Sequence, residues 1–328
     1  MRRKRAFPWA NVLILWLVPV VALAGEPLRI ESSIDAMGST FTIVAFDEDR
    51  VRLESALEES FDEVRRLDNL LSNYKTHSEW SRMNREAASQ PVRLSQELFG
   101  LLEACQGYSQ WSDGAFDLTV GPLLKIWGFY KGSGRLPHRA EIRTAMGHVG
   151  YRLVELNRAE NSVKFARAGV ELDPGGIGKG MAVDRLVEIL QRNRIGSALV
   201  SAGGSTIYGL GSPPGEAGWK VKIRHPKIEG QYVENVVLKN LSMSTSGTSA
   251  KFFISGGKLY SHIFDPRTGY PAQGMLSVSV TAPRALDSEA WTKPFFINGR
   301  AWAQAHKPGQ AKVFLCEDRL EIACAWLQ

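Results

Sequence analysis

The irregular order of helical and β-like segments is the feature that most constrains the fold. Amphipathic stretches and short apolar runs follow one another without a steady strand–helix–strand period, and joints rich in Gly, Pro and Ser separate them. A doubly wound parallel sheet requires that period, whereas an α+β domain does not. We therefore predict an α+β fold of mixed sheets and helices over residues 25–328, which are enough for one large domain or two intimate lobes.

Hydrophobic periodicity places the main elements within these residues. Helices are predicted over residues 51–71, from a Ser95 cap to about residue 111, and over residues 179–194, where Ile195-Gly196 ends the helix. Strands are predicted over residues 41–46, 196–202, 219–224, 276–282, 313–316 and 320–326, and an exposed loop over residues 212–218.

The N-terminus has the composition of an export signal. Residues 2–5 are basic, residues 12–23 are almost all apolar, and Ala22-Leu23-Ala24 provides the small-x-small pattern of a signal peptidase site. The apolar run is short for a membrane span. We predict a signal peptide over residues 1–24, cleaved after Ala24, and a periplasmic mature chain, free or associated with the inner membrane. An uncleaved N-terminal anchor is the alternative.

Charge and cysteine content narrow the possible partners and covalent links. Residues 1–24 carry four basic and no acidic side chains, so their removal lowers the formal charge from +6 to +2. Such a small charge gives no indication of a nucleic-acid partner. Cys105, Cys316 and Cys324 are widely spaced, and buried single thiols are the favoured interpretation. An oxidising compartment would also permit a Cys316–Cys324 bridge.

Five segments are richer in Gly, Asp, hydroxyl and aromatic residues than an ordinary core: 36–39, 72–74, 113–119, 173–180 and 261–269. Residues 173–180 (Asp-Pro-Gly-Gly-Ile-Gly-Lys-Gly) lead into a predicted helix. Glycines let N–H groups approach a ligand, and the helix N-terminus and Lys179 favour negative charge, which predicts an anion site. A tight strand-to-helix turn is the alternative. The segment matches neither a Walker A loop nor a Rossmann fingerprint.

Taken in order, these segments resemble the ApbE-type FAD:protein FMN transferases, a family formerly described as thiamin-biosynthesis lipoproteins. The resemblance covers roughly residues 30–300. It depends on residues 37–39, 70–74 with 78–84, 113–121 with 126–129, 175–184, and 245–247 with 261–271. It implies that residues 25–328 form one domain, a single-chain α+β fold around a flavin cleft. It also implies an enzyme that splits FAD, attaches FMN to a Ser or Thr hydroxyl of a target protein and releases AMP.

The resemblance also implies which residues line the FAD site: Met37, Tyr74, Ala115, Phe116, Asp117, Asp173, Lys179 and His262. Aromatic faces suit the isoalloxazine or adenine ring, and Lys179 can offset pyrophosphate charge. His262 is the only one of them with an ordinary pKa near neutrality, so it is the predicted catalytic proton acceptor. Ordinary core packing is the alternative for Phe116, and a satisfied core histidine is the alternative for His262.

A Mg²⁺ site is implied as well, but the chain departs from the family pattern there. Members read Ala-Asp-Ala-x-x-Thr, whereas residues 288–293 here read Ser-Glu-Ala-Trp-Thr-Lys. Glu289 keeps a hard oxygen donor. Lys293, which stands where members have Thr, brings an ammonium that repels a divalent cation.

Two interpretations of the metal segment follow. Either Lys293 takes the place of the cation against the pyrophosphate, or the Gly176 carbonyl, Glu289 and Thr292 still hold Mg²⁺ with Lys293 turned away. The first interpretation predicts a Glu289–Lys293 ion pair on one helix face, with an exposed surface pair of no catalytic part as its alternative.

Two other functions stay open at this point. A non-catalytic, flavin-binding exported protein would keep the cleft without cleaving FAD. An FAD pyrophosphatase would split FAD to FMN and AMP without modifying a protein. AMP release distinguishes the transferase from the non-catalytic flavin-binding protein. A mass increase on an acceptor protein distinguishes the transferase from the pyrophosphatase.

Overall fold

The computed structural model describes residues 27–132, 134–319 and 321–328. The predicted signal peptide, residues 1–24, lies outside them and stays a prediction, as does the first residue of the predicted strand over 320–326. None of the described helices combines the length and apolar content needed to cross a membrane.

The helices and strands of the described residues alternate irregularly, as predicted. The helices are α1 (Arg50–Leu71), α2 (Glu79–Glu86), α3 (Gln96–Trp111), α4 (Gly121–Ile126), α5 (Arg139–Met146), α6 (Gly178–Arg192) and α7 (Ala285–His306). The strands are β1 (Leu28–Ala36), β2 (Ser39–Asp47), β3 (Val92–Arg93), β4 (Val154–Asn157), β5 (Ser162–Phe165), β6 (Ser197–Ala202), β7 (Thr206–Leu210), β8 (Trp219–Arg224), β9 (Tyr232–Leu238), β10 (Leu241–Gly247), β11 (Phe252–Ser255), β12 (Lys258–Ser261), β13 (Phe264–Asp265), β14 (Tyr270–Pro271), β15 (Met275–Ala282), β16 (Lys312–Glu317) and β17 (Ala323–Trp326).

The central layer is an eight-stranded sheet with the order β1-β2-β6-β7-β10-β15-β16-β17. Every neighbouring pair in it is antiparallel. Alternate residues of β2 face opposite sides: Ile43 and Ala45 pack with α1, α6 and α7, whereas Val44 and Phe46 pack under β8 and β9. The α+β prediction is confirmed.

The predicted helices form because their apolar residues recur on one face. In α1, Leu53, Leu57, Phe61, Val64, Leu67 and Leu71 are buried. The Ser95 side chain accepts a hydrogen bond from the Leu98 N–H and caps α3, as predicted. Helix α6 begins at Gly178 and ends at Arg192, two residues before the predicted end.

Helices α6 and α7 approach each other closely at their N-termini. A Cβ at Gly180 would lie 2.6 Å from the Ala285 carbonyl oxygen, so only glycine allows this contact. Asp184 on α6 accepts the Ala285 and Leu286 N–H groups at 2.6 and 3.0 Å and caps α7. Glu289 on α7 accepts the Gly180 N–H at 2.5 Å. These contacts fix the glycine-rich turn before α6 against the first turns of α7.

The cysteines divide into two kinds. Cys105 is a buried free thiol, as predicted. Cys316 and Cys324 instead form a disulfide, so the single-thiol interpretation is wrong for them. The antiparallel register of β16 and β17 places the two residues directly opposite each other, and the sequence alone did not reveal that register.

Gly180→Ala should destabilise the fold by roughly 1–3 kcal/mol, because the added methyl group would press into the backbone of α7. Gly107→Ala is the matched control, since a Cβ at this exposed position in α3 meets nothing within 4 Å. It should stabilise the helix by about 0.4–1 kcal/mol. Urea denaturation of both variants measures the difference. Equal stability of the two variants would contradict the close approach of α6 and α7.

Candidate functional site

One cleft of about 510 Å³ brings together every site residue that the sequence predicted. Its volume lies in the range of small-molecule sites. Its walls are the β1–β2 turn, the segments after α1 and before α4, the α6 N-terminus, the end of β10, the chain after β12 and the first turns of α7. The lining includes Met37, Tyr74, Ala115, Phe116, Asp117, Asp173, Gly176, Lys179, His262, Glu289, Thr292 and Lys293.

The aromatic residues of the cleft differ in exposure. Tyr74 is 77% exposed and meets Tyr130 edge to face, with 6.2 Å between ring centroids. Its open face is therefore accessible to a flat ring. Phe116 is buried and packs edge to face on Tyr108 at 5.6 Å, so it belongs to the core while it also lines the cleft.

Asp173 is held at the cleft wall by three donors. The Tyr130 hydroxyl donates to its Oδ2 at 2.7 Å, and the Asn73 amide donates to the same atom at 2.9 Å. Burial and the neighbouring Asp173 raise the pKa of Tyr130, which keeps the phenol a donor. The remaining oxygen, Oδ1, accepts the Gly175 N–H. This arrangement orients the carboxylate beside the glycine-rich turn.

The Asp117 carboxylate accepts hydrogen bonds from other groups of the protein. It accepts the Thr119 N–H and hydroxyl at 2.8 and 2.7 Å, and the Tyr151 N–H at 2.6 Å. Burial raises the pKa of Asp117, although these hydrogen bonds lower it. Asp117 therefore fixes the loop that presents Ala115 and Phe116 to the cleft.

The predicted anion site lies at the N-terminus of α6. The Lys179 ammonium is 3.5 Å from Glu289 Oε1, and its side chain is about a quarter exposed. Glu289 itself is 3% exposed. The buried carboxylate thus holds Lys179 at the helix N-terminus, where the helix dipole adds to the positive potential.

Lys293 lies at the floor of the cleft and points into it. Its ammonium donates to the Gly176 carbonyl at 3.0 Å and to the Glu289 carbonyl at 2.8 Å. The pKa of Lys293 is lowered to about 8, chiefly by burial; the Glu289 charge raises it, and the Lys179 charge lowers it.

The arrangement of Lys293 corrects the predictions for this side chain. Glu289 and Lys293 share α7, as predicted, but Lys179 is the ion-pair partner of Glu289. The Glu289 carboxylate turns to the Gly180 N–H and Lys179, so Lys293 reaches only the carbonyl of Glu289. Lys293 is part-buried, so it neither forms an exposed surface pair nor turns away from the cleft.

The donors predicted for Mg²⁺ lie together but already have protein partners. The Gly176 carbonyl accepts the Lys293 ammonium. The Thr292 hydroxyl donates to the Glu289 carbonyl and bonds to the Ser246 hydroxyl, each at 2.7 Å. The described residues contain no group of three His, Cys, Asp or Glu that could hold a metal ion. An ammonium on one donor opposes a divalent ion on the same donor, so this set does not fit Mg²⁺.

His262 has the protonation state of a base. Its Nδ1 lies 3.1 Å from the Lys251 carbonyl, which can only accept, so Nδ1 carries the proton and Nε2 is the basic nitrogen. The pKa of His262 is lowered to about 4, chiefly by burial. The hydrogen bond to the Lys251 carbonyl raises it, and the charges of Lys251, Lys293 and Lys179 lower it. The ring is therefore neutral at pH 7.

Comparison with known proteins identifies the family. The sequence profile of the ApbE family matches residues 37–314. The chain belongs to the ApbE family. It is 33% identical over 291 residues to the FAD:protein FMN transferase of Treponema pallidum, covering 83% of this chain and 80% of the relative. It is 31% identical over 264 residues to the protein of the same name from Klebsiella pneumoniae, covering 79% of each.

Solved structures of the ApbE family share the fold. The ApbE protein of Thermotoga maritima superposes with a TM-score of 0.83 at 29% identity, covering 91% of this chain and 97% of that one. The flavinyl transferase ApbE of Pseudomonas stutzeri, in its apo form, gives 0.81 at 26% identity, covering 92% and 95%. The fold expected from the resemblance is confirmed.

Two cleft residues of this ApbE member did not stand out in the sequence. Tyr130 follows the matched residues 126–129 directly, and this proximity was the only signal for it. Lys251 lies in the segment between two matched motifs and reaches the cleft because its carbonyl accepts the His262 N–H and ring proton. Only the folded β11–β12 region brings Lys251 beside His262.

Proposed function

We propose that this chain is an FAD:protein FMN transferase, an enzyme that cleaves FAD and attaches FMN to an acceptor protein. Membership of the ApbE family and the names of its relatives support this function. The observation that carries it is the composition of the cleft described above. An open aromatic face, one lysine at the α6 N-terminus, a second lysine on α7 and a neutral histidine occur together there.

The cleft offers a complementary surface for each part of FAD. The exposed Tyr74 ring suits one of the flat ring systems. The α6 N-terminus and Lys179 suit the diphosphate. Asp173, oriented by Tyr130 and Asn73, can accept a hydrogen bond from an adenine amino or ribose hydroxyl group.

The proposed reaction is one phosphoryl transfer. The oxygen of a Ser or Thr hydroxyl on the acceptor protein bonds to the phosphorus of the FMN half of FAD. The bond from that phosphorus to the bridging oxygen breaks, and AMP leaves with the bridging oxygen. Nε2 of His262 takes the hydroxyl proton. FMN then remains on the acceptor as a phosphoester.

The Ser or Thr acceptor is the one that the family resemblance implies. A neutral histidine is compatible with it, because it can remove a proton from an aliphatic hydroxyl as that hydroxyl attacks. Mg²⁺ is not assigned a part in this reaction, because the donors expected to bind it already bond to protein groups.

The pH dependence of transfer tests His262. With a pKa of about 4, the base is already neutral at pH 5, so kcat/KM should stay nearly constant from pH 5 to 7. If His262 had the ordinary histidine pKa, kcat/KM would be about 30-fold lower at pH 5. The assay measures AMP by chromatography and FMN on the acceptor by intact mass.

His262→Asn is the matched variant for the same assay. It should lower the transfer rate by about 10²- to 10⁴-fold while FAD still binds. AMP release by the parent without a mass increase on any acceptor would identify a pyrophosphatase. FAD binding by the parent without AMP release would identify a non-catalytic carrier. Either result would contradict the transferase.

Export is part of the proposal. The Cys316–Cys324 disulfide suits an oxidising compartment, and membrane proximity would then arise through the acceptor. N-terminal sequencing of the chain from a periplasmic extract should give Gly25 as the first residue. A chain that retains Met1 in the membrane fraction would show that the N-terminus is an uncleaved anchor.

A further inference from the structure

The Lys293 ammonium is held at the cleft floor by groups that cannot neutralise it. Both of its hydrogen-bond acceptors, the carbonyls of Gly176 and Glu289, are uncharged. An ammonium has three N–H donors, and the described residues supply it with two acceptors. The third N–H is available to a ligand in the cleft.

The charges of the cluster formed by Lys179, Lys293 and Glu289 do not balance. Lys179 and Lys293 contribute two positive charges, and the buried Glu289 contributes one negative charge at 3.5 Å from Lys179. The N-terminus of α6 adds partial positive charge at the same place. Removing an ammonium from water is costly unless an anion compensates it. The cluster thus lacks one anion, and the cleft is where that anion can enter.

The position of Lys293 is also the position expected for a metal. Its Nζ bonds to the Gly176 carbonyl, which is one of the three predicted metal donors, and it lies within one helical turn of the other two. The ammonium and a divalent ion would need the same carbonyl. A side chain of this protein therefore occupies the place of an external cation.

We propose that Lys293 is the built-in counter-ion for the diphosphate of FAD, so that this chain binds FAD without a divalent metal ion. The inference depends on the proposed function, because that function supplies the ligand. The inference extends that function, because it assigns the offsetting of the diphosphate charge to a side chain of the protein itself. Lys293 acts on the ligand directly, and Lys179 acts beside it from α6.

A purely structural role for Lys293 is the competing explanation. Its ammonium links α7 to the turn before α6 and could serve only to join them. A structural link would affect thermal stability, and the affinity for FAD would not depend on Mg²⁺ in any variant. A counter-ion makes FAD affinity depend on charge at this position.

Lys293→Met keeps the length of the side chain and removes its charge. In EDTA, this substitution should raise the Kd for FAD by about 10- to 100-fold, because one charge-assisted hydrogen bond to the ligand is lost. Lys220→Met is the matched control, because the Lys220 side chain is 70% exposed on β8. It should bind FAD as the parent does. Flavin fluorescence titration measures each Kd, and thermal melting monitors folding.

Lys293→Thr keeps the test decisive if the Met variant folds poorly. It frees the Gly176 carbonyl and adds a hydroxyl oxygen, both of which suit Mg²⁺. Its Kd for FAD should be high in EDTA and should fall at least 10-fold when MgCl₂ is added. The parent should have the same Kd in both solutions.

Three results would overturn the inference: a parent that needs Mg²⁺ to bind FAD, a Met variant that folds and binds FAD like the parent, or a Thr variant that does not respond to Mg²⁺. These results leave the proposed function intact if the parent still releases AMP and modifies an acceptor. A parent that binds FAD but transfers nothing overturns the function, and the FAD titrations still decide the role of Lys293.

Discussion

The close approach of α6 and α7 at Gly180 is the contact on which the site depends. The two helices meet with backbone against backbone, and three hydrogen bonds connect them there. Asp184 of α6 accepts the Ala285 and Leu286 N–H groups of α7, and Glu289 of α7 accepts the Gly180 N–H of α6. This brings the glycine-rich turn of residues 174–176 beside the second turn of α7. Without it, Lys179 and Lys293 would not share one cleft.

The electrostatics of the cleft follow from that contact. Glu289 is buried where it can satisfy the Gly180 N–H and attract Lys179, and it therefore does not reach Lys293. The two ammonium groups lower the pKa of His262 in addition to its burial. One arrangement of helices thus produces both an anion site and a neutral base near it, which phosphoryl transfer to a hydroxyl requires.

Much of the fold could be predicted because its elements carry their own periodicity. Helix α1 and strand β8 matched closely, since an amphipathic face and a strict alternation are local signals. The order of strands in the eight-stranded sheet could not be predicted, since it depends on pairings between distant segments. The Cys316–Cys324 disulfide was only the less favoured interpretation for the same reason, because the register that pairs the two cysteines is a property of two strands together.

In the candidate site, too, the local signals could be predicted and the contacts between distant residues could not. Residues inside the five segments rich in Gly, Asp, hydroxyl and aromatic side chains, such as Tyr74, Asp173 and His262, were predicted to share one cleft, and they do. The predicted ion-pair partner of Lys293 was wrong. Helical spacing suggested a Glu289–Lys293 pair, but the carboxylate bonds across to α6, a tertiary contact that spacing within one helix does not contain. Tyr130 was missed because its partner, Asp173, is distant in sequence.

The most direct test of this account is a crystal structure of the protein with FAD and MnCl₂, with anomalous scattering used to locate manganese. The account predicts FAD in the cleft, with a diphosphate oxygen on the Lys293 ammonium and the Gly176 carbonyl still bonded to Lys293. No manganese should coordinate Gly176, Glu289 or Thr292. A manganese ion bound to these three groups, with Lys293 displaced from the cleft, would contradict the account.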